Sequence, residues 1–212
     1  MKLPFTTEQF LEVFRNYNQT VFPAQIILYL LAGLALYFSF KKPAPNSGKV
    51  IAAILAFFWL WMGIVYHLLF FTKINPAANV FGALFIVQGG LFFLYEFPKR
   101  RLSFSFRKDL RGWAGGALIL FALVVYPVIG YFTGHVYPAS PTFGLPCPTT
   151  IFTFGMLLWV ERKPPVLVLV IPLLWSVVGF SAALTLGIME DAGLLVSGLI
   201  TAGLAFSERR KL

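Results

Sequence analysis

Cysteine, histidine and acid are all scarce in this chain: its 212 residues hold one Cys, two His and eight Asp or Glu. Cys147 alone allows no intrachain disulfide and no CxxC metal or redox pair. His67 and His135 alone cannot build a three-histidine hydrolase site, and neither belongs to an HxxxH or HExxH pair. No glycine-rich loop ends in Lys-Ser or Lys-Thr, and there is no GxSxG and no dinucleotide fingerprint. These absences set aside phosphoryl transfer, Ser-His-Asp hydrolysis and NAD-type chemistry. Charge is the last shortage: 12% of residues are charged, against roughly 25% in a soluble domain.

What fills the chain instead is apolar. Hydrophobic residues make up 58% and aromatic residues 17%, and the mean hydropathy is +0.80. The expectation is an all-α integral membrane protein, with an N-terminal amphipathic interfacial segment at 1–22 and one transmembrane helical bundle at 23–212. Seven apolar segments read as spans, roughly 24–40, 50–71, 77–97, 112–133, 149–160, 166–187 and 192–206. A full crossing takes about 20 residues, so the first is slightly short and the fifth and seventh clearly short.

The net charge of +9 does not point to nucleic acid, because the basic residues sit in short loops between apolar runs. The loops 41–49, 98–111 and 161–165 and the tail 207–212 hold 14 of the 17 Lys and Arg. By the positive-inside rule that side is cytoplasmic, with the N-terminus outside and the C-terminus inside a bacterial inner membrane. The first twenty residues carry Lys2, Glu8, Glu12 and Arg15 where a leader would have an apolar core, so no cleaved signal peptide is expected. Residues 6–20 read as a short amphipathic helix. Thr6 and Gln9 fit a capping box, and Phe10, Val13, Phe14, Tyr17 and Val21 share a face.

The stretch GYFTGHVYPASPTFGLPCPTTIFTFG, Gly130–Gly155, crowds together His, Cys, Tyr, Thr, four prolines and several glycines. Pro138, Pro141, Pro146 and Pro148 exclude a continuous helix. Irregular backbone survives at membrane depth only when buried in protein or lining a wet cavity, so this stretch is the expected wall of any site. A 3+1+3 repeat is also legible. Spans one and five each run inward from a proline to a basic, proline-bearing turn, and spans two and six return outward.

The segments LPFTTEQFLEVF and YN within Leu3–Asn18, the Pro23-Ala24-Gln25 start of span one and YPASPTFGLPCPTTIFTFG at Tyr137–Gly155 together resemble a bacterial family of multi-pass membrane proteins of unknown function. The resemblance covers essentially the whole chain and implies a polytopic fold. It implies no activity, no cofactor and no catalytic residue.

Candidate chemistry clusters on the expected outer side. Glu190 and Asp191 form the one adjacent acidic pair between spans six and seven. Two short helices at that end predict a cavity whose floor carries Cys147, Thr149, Glu190 and Asp191. Gln88, His135 and Tyr137 complete the expected solute-binding set; the plainer reading of Glu190-Asp191 is a water-facing turn. Gly89-Gly90 predicts close helix packing and Pro172 a kink in span six. The reading is a small-solute permease with an outward-facing cavity and no catalytic residues. One alternative is a redox protein holding a metal or haem at His67, His135 and Cys147. Another is a scaffold or accessory subunit whose first helix docks a partner. The expected partners are the bilayer, a small solute and a second copy or membrane protein, with no nucleic acid.

Overall fold

The computed structural model describes residues 3–41, 46–97 and 102–207, all in helices, turns and loops apart from two isolated β-bridges. Seven of the basic residues behind the expected orientation (Lys42, Lys99, Arg100, Arg101, Arg209, Arg210 and Lys211) lie outside the described residues.

Helix α1 (Thr7–Val21) starts where the sequence predicts. Gln9 N donates to Thr6 Oγ1 at 3.3 Å and Thr6 N to Gln9 Oε1 at 2.9 Å, closing the capping box. Val13, Phe14 and Tyr17 are buried on its inner face. The chain then bends by 84° into α2 (Ala24–Phe40). Helix α3 (Ser47–Trp61) widens into a π-helical segment, Met62–Phe70, and ends in a 3₁₀ turn, Phe71–Lys73. It pairs with α4 (Ala78–Glu96), where a Cβ on Gly89 would lie 3.0 Å from Ala56 O. Gly89 therefore carries the close packing expected of the pair, while Gly90 faces open space.

Helix α5 (Leu110–Leu120) also passes through a π-helical segment, Phe121–Val125, into α6 (Tyr126–Phe132). Pro127 has no N–H for the helix ladder and its ring crowds the carbonyl four residues back, which accounts for the register change just before it. The chain is irregular to residue 145, then enters α7 (Pro146–Leu158), α8 (Leu167–Leu186), a 3₁₀ turn at Met189–Asp191 and α9 (Ala192–Ser207). Helix α8 runs through Pro172 as one helix.

Among the described residues, five helical stretches are long and apolar enough to cross a membrane: Ser47–Lys73, Ala78–Glu96, Leu110–Phe132, Leu167–Leu186 and Met189–Phe206. A sixth is counted if α1 and α2 form one bent span. The sequence reading had seven. The difference lies in its first and fifth spans. Helix α2, at 17 residues, reaches the criterion only together with α1. Helix α7, at 13 residues, is about 20 Å long against a core of about 30 Å. Every residue of α7 except Cys147 is buried, so it is a core helix, apolar on all sides. It meets α5 so closely that a Cβ on Gly155 would sit 2.7 Å from Gly115 O.

Hydrogen bonds tie the described residues together at the Glu96 end of the bundle. Leu102 N donates to Glu96 Oε2 at 2.8 Å, Trp159 Nε1 to Gly112 O at 2.9 Å and Ser105 N to Trp159 O at 2.9 Å. Asp109 caps α5 through Gly112 N at 2.9 Å. That N–H bond, with Arg107 beside it, holds the Asp109 carboxyl below the usual carboxylate range.

Candidate ligand cavity

The opposite, His135 end is hollow. A cavity of about 290 Å³ opens between α1, the π-helical part of α3, α8 and the start of α7. Phe10, Phe14, Tyr66, Phe81 and Trp175 form its walls, and Tyr126, Cys147 and Asp191 its polar end. A second cavity of about 250 Å³ lies between α2, α6 and the irregular segment, lined by Gln25, Gly130, His135, Tyr137 and Thr142 among others. Tyr126 lines both.

Between the two cavities sits the acidic pair. Tyr126 OH donates to Asp191 Oδ1, and the Cys147 thiol lies against the same carboxyl. Glu190 turns the other way: His135 Nδ1 donates to Glu190 Oε1 at 2.7 Å and Thr133 Oγ1 to Glu190 Oε2 at 3.5 Å. Gly130 permits this approach, since a Cβ there would lie 3.2 Å from Glu190 Oε1. Both acids are buried, so the MED turn does not expose its carboxylates to water. Asp191 thus lines the larger cavity, while Glu190 lines neither and bonds His135, which lines the smaller, because the tight 3₁₀ turn splays the two side chains.

The irregular segment is held by α1. Buried Asn18 donates from Nδ2 to Pro138 O at 2.7 Å and Ser140 O at 2.8 Å, and accepts from Thr142 Oγ1 at 2.7 Å. Gln25 Nε2 donates to Asn18 O at 2.9 Å, and Trp61 Nε1 to Tyr17 OH at 2.7 Å. The N-terminal helix therefore uses buried polar groups on its own chain. The segments that carried the family resemblance meet each other in space.

Of the residues singled out from sequence, His135, Cys147, Glu190 and Asp191 come together, and Tyr137 lines the second cavity. Thr149 is fully buried and serves the backbone, accepting from Gly144 N at 2.9 Å. Gln88 is also buried and donates to Val168 O at 3.0 Å, tying α4 to α8 outside both cavity linings. His67 packs as an aromatic ring, 4.6 Å from Phe85 and 5.2 Å from Trp175 between centroids, with neither nitrogen hydrogen-bonded. It does not join His135 and Cys147, and among the described residues no group of three His, Cys, Asp or Glu could hold a metal ion.

Tyr126, Trp175 and Thr133 are site residues that sequence reasoning passed over. The two π-helical segments carry Tyr66 and His67 and lead into Tyr126. Such segments gather at functional sites because they re-aim side chains out of the α register. Pro127 was the readable signal for one of them.

Apolar helices of this number and length make the chain a membrane protein. Exposed side chains such as Leu30, Leu174 and Leu199 give its helices an apolar outer surface consistent with lipid contact. A family model described as "Family of unknown function (DUF6064)" matches residues 7–212, and the chain belongs to that family. No curated protein and no solved structure matches it.

Proposed function

We propose that this protein is a small-solute carrier of the bacterial inner membrane, its larger cavity facing away from the cytoplasm. The observation that carries the reading is the position of the acidic pair. Glu190 and Asp191 are buried where two cavities meet, and Tyr126 forms part of both linings. Ionisable groups at membrane depth are costly and serve ion or proton movement when they persist. In this reading the solute occupies the aromatic cavity, Asp191 carries the coupled proton, and the His135–Glu190 pair passes it to the smaller cavity. The Glu96 end is then the gate that must open on the other side. The hydrogen bonds of Leu102, Ser105 and Trp159 there, and the buried short helix α7, support reading this as the outward-facing state of an alternating cycle.

The test is flux. A thermal-shift screen of small organic solutes on detergent-purified protein supplies a binder, and its uptake is followed in proteoliposomes with an internal pH dye. The carrier reading expects solute uptake with proton movement, both lost in the Glu190→Gln/Asp191→Asn variant while its thermal unfolding stays cooperative. Equal flux in the variant removes the acids from the mechanism. Binders that never cross the bilayer contradict the carrier itself.

A further inference from the structure

The larger cavity is walled by apolar and aromatic side chains and becomes polar where Asp191, Tyr126 and Cys147 meet. Charged and titratable groups reach Asp191 from every element packed there. Tyr66 comes from the π-helical part of α3, Tyr126 from α6, Cys147 from α7, Glu190 from the same turn and His135 from the segment after α6. Tyr66, Tyr126 and Cys147 are neutral donors, and the His135 imidazole already serves Glu190 at 2.7 Å. Asp191 thus has no cation of its own among these groups. An uncompensated carboxylate at membrane depth is costly, so the site requires one positive charge.

A second observation points to the ligand. The Trp175 side chain lines the cavity with 9% of its surface exposed, and its Nε1–H finds no oxygen or nitrogen acceptor. The Cys147 sulfur, a weak acceptor, lies beside it. A buried donor held only by sulfur is poorly met, and a ligand oxygen would satisfy it better. The rings of Tyr66, Phe81 and Trp175 add π-faces that attract a cation. Size agrees: an apolar cavity of about 150 Å³ takes a benzene ring, and this one, at about 290 Å³, has room for a ring and a head group.

We propose that the cavity binds a hydrophobic organic cation carrying a hydroxyl or ether oxygen beside its charge, and that one such cation exchanges for one proton held at Asp191. The cation's charge then meets the carboxylate, its oxygen accepts from Trp175 Nε1–H, and its apolar body fills the aromatic walls. The released proton leaves through Tyr126 toward the smaller cavity and the His135–Glu190 pair. Movement across the bilayer rests on the carrier reading; binding and proton release do not.

The full chain in detergent is titrated by calorimetry with benzyldimethyl(2-hydroxyethyl)ammonium, in two buffers of different ionisation enthalpy so that released protons are counted. This probe has a fixed charge and cannot supply the proton itself. One proton should appear per probe bound, with affinity falling up to about tenfold for each unit of lowered pH while the proton is on the site. Asp191→Asn should weaken the probe by on the order of a hundredfold, as when one partner of a buried charge pair is removed, and abolish proton release. The neutral 2-(benzyloxy)ethanol should bind wild type and Asp191→Asn alike. Trp175→Phe should weaken the hydroxyl-bearing probe by about fivefold more than it weakens benzyltrimethylammonium. If Asp191→Asn fails to fold, the wild-type proton count and the Trp175→Phe comparison still decide. Binding of the neutral compound without the cation, or of the cation without proton release, overturns this assignment and leaves the carrier reading standing. Binding with proton release but no probe flux into proteoliposomes does the reverse.

Discussion

The two ends of this bundle are built to different standards. At the Glu96 end, described polar groups such as Glu96 and Trp159 each reach a backbone partner. At the His135 end the helices stand apart around cavities of about 290 and 250 Å³. Two carboxyl groups are buried there and an indole N–H has only a sulfur beside it. Folding alone does not favour such cavities, since empty space forfeits dispersion contacts. The proposed carrier uses that space for something that enters.

Four tests probe this contrast, from the largest expected effect downward. His135→Ala strands the buried Glu190 carboxylate and should destabilise by about 3 kcal/mol or more. Adding Glu190→Gln should recover most of that loss, and a double-mutant cycle by thermal unfolding reads the coupling. Asn18→Ala removes the clamp on Pro138, Ser140 and Thr142 and should cost about 2–3 kcal/mol, with faster proteolysis between residues 134 and 145.

The third test places the same change at both ends. Ala52→Leu enters a filled core and should cost about 1–3 kcal/mol by overpacking. Ala182→Leu enters the larger cavity and should change stability by less than about 0.5 kcal/mol while blocking ligand. Equal penalties would show the two ends to be packed alike. The smallest effect belongs to Asp109→Ala, which removes a helix cap at the Glu96 end and should cost about 1 kcal/mol at neutral pH. Because the folded carboxyl titrates below its unfolded value, its contribution is present above about pH 4 and disappears as pH falls through the folded value. Wild type and variant should converge in acid, as pH-dependent unfolding would record.

Much of the fold is legible residue by residue. Thr6 and Gln9 announce the first helix, and the four prolines announce the broken segment. The count of spans was harder, because a 13-residue helix walled in by protein has the same composition as a short piece of a lipid-facing one. The acids, His135 and Cys147 stand out because polar groups are rare in such a sequence. Tyr126 and Trp175 do not: in an apolar run an aromatic that lines a cavity reads the same as one that faces lipid. Gln88 and Thr149 stand out too. Polar residues inside a membrane draw notice even when they only satisfy a carbonyl or a backbone N–H.

The central claim is that a small molecule can enter the His135 end, and the chain's own single cysteine reports on it. Cys147 lines the larger cavity beside Asp191. Folded protein in detergent is exposed to methyl methanethiosulfonate, and the adduct is followed by intact mass with and without benzyldimethyl(2-hydroxyethyl)ammonium. The account predicts one adduct on the native protein, formed several-fold more slowly, on the order of the cavity's fractional occupancy, when the probe is present. A thiol that reacts only after denaturation, or at a rate saturating probe does not change, would contradict it.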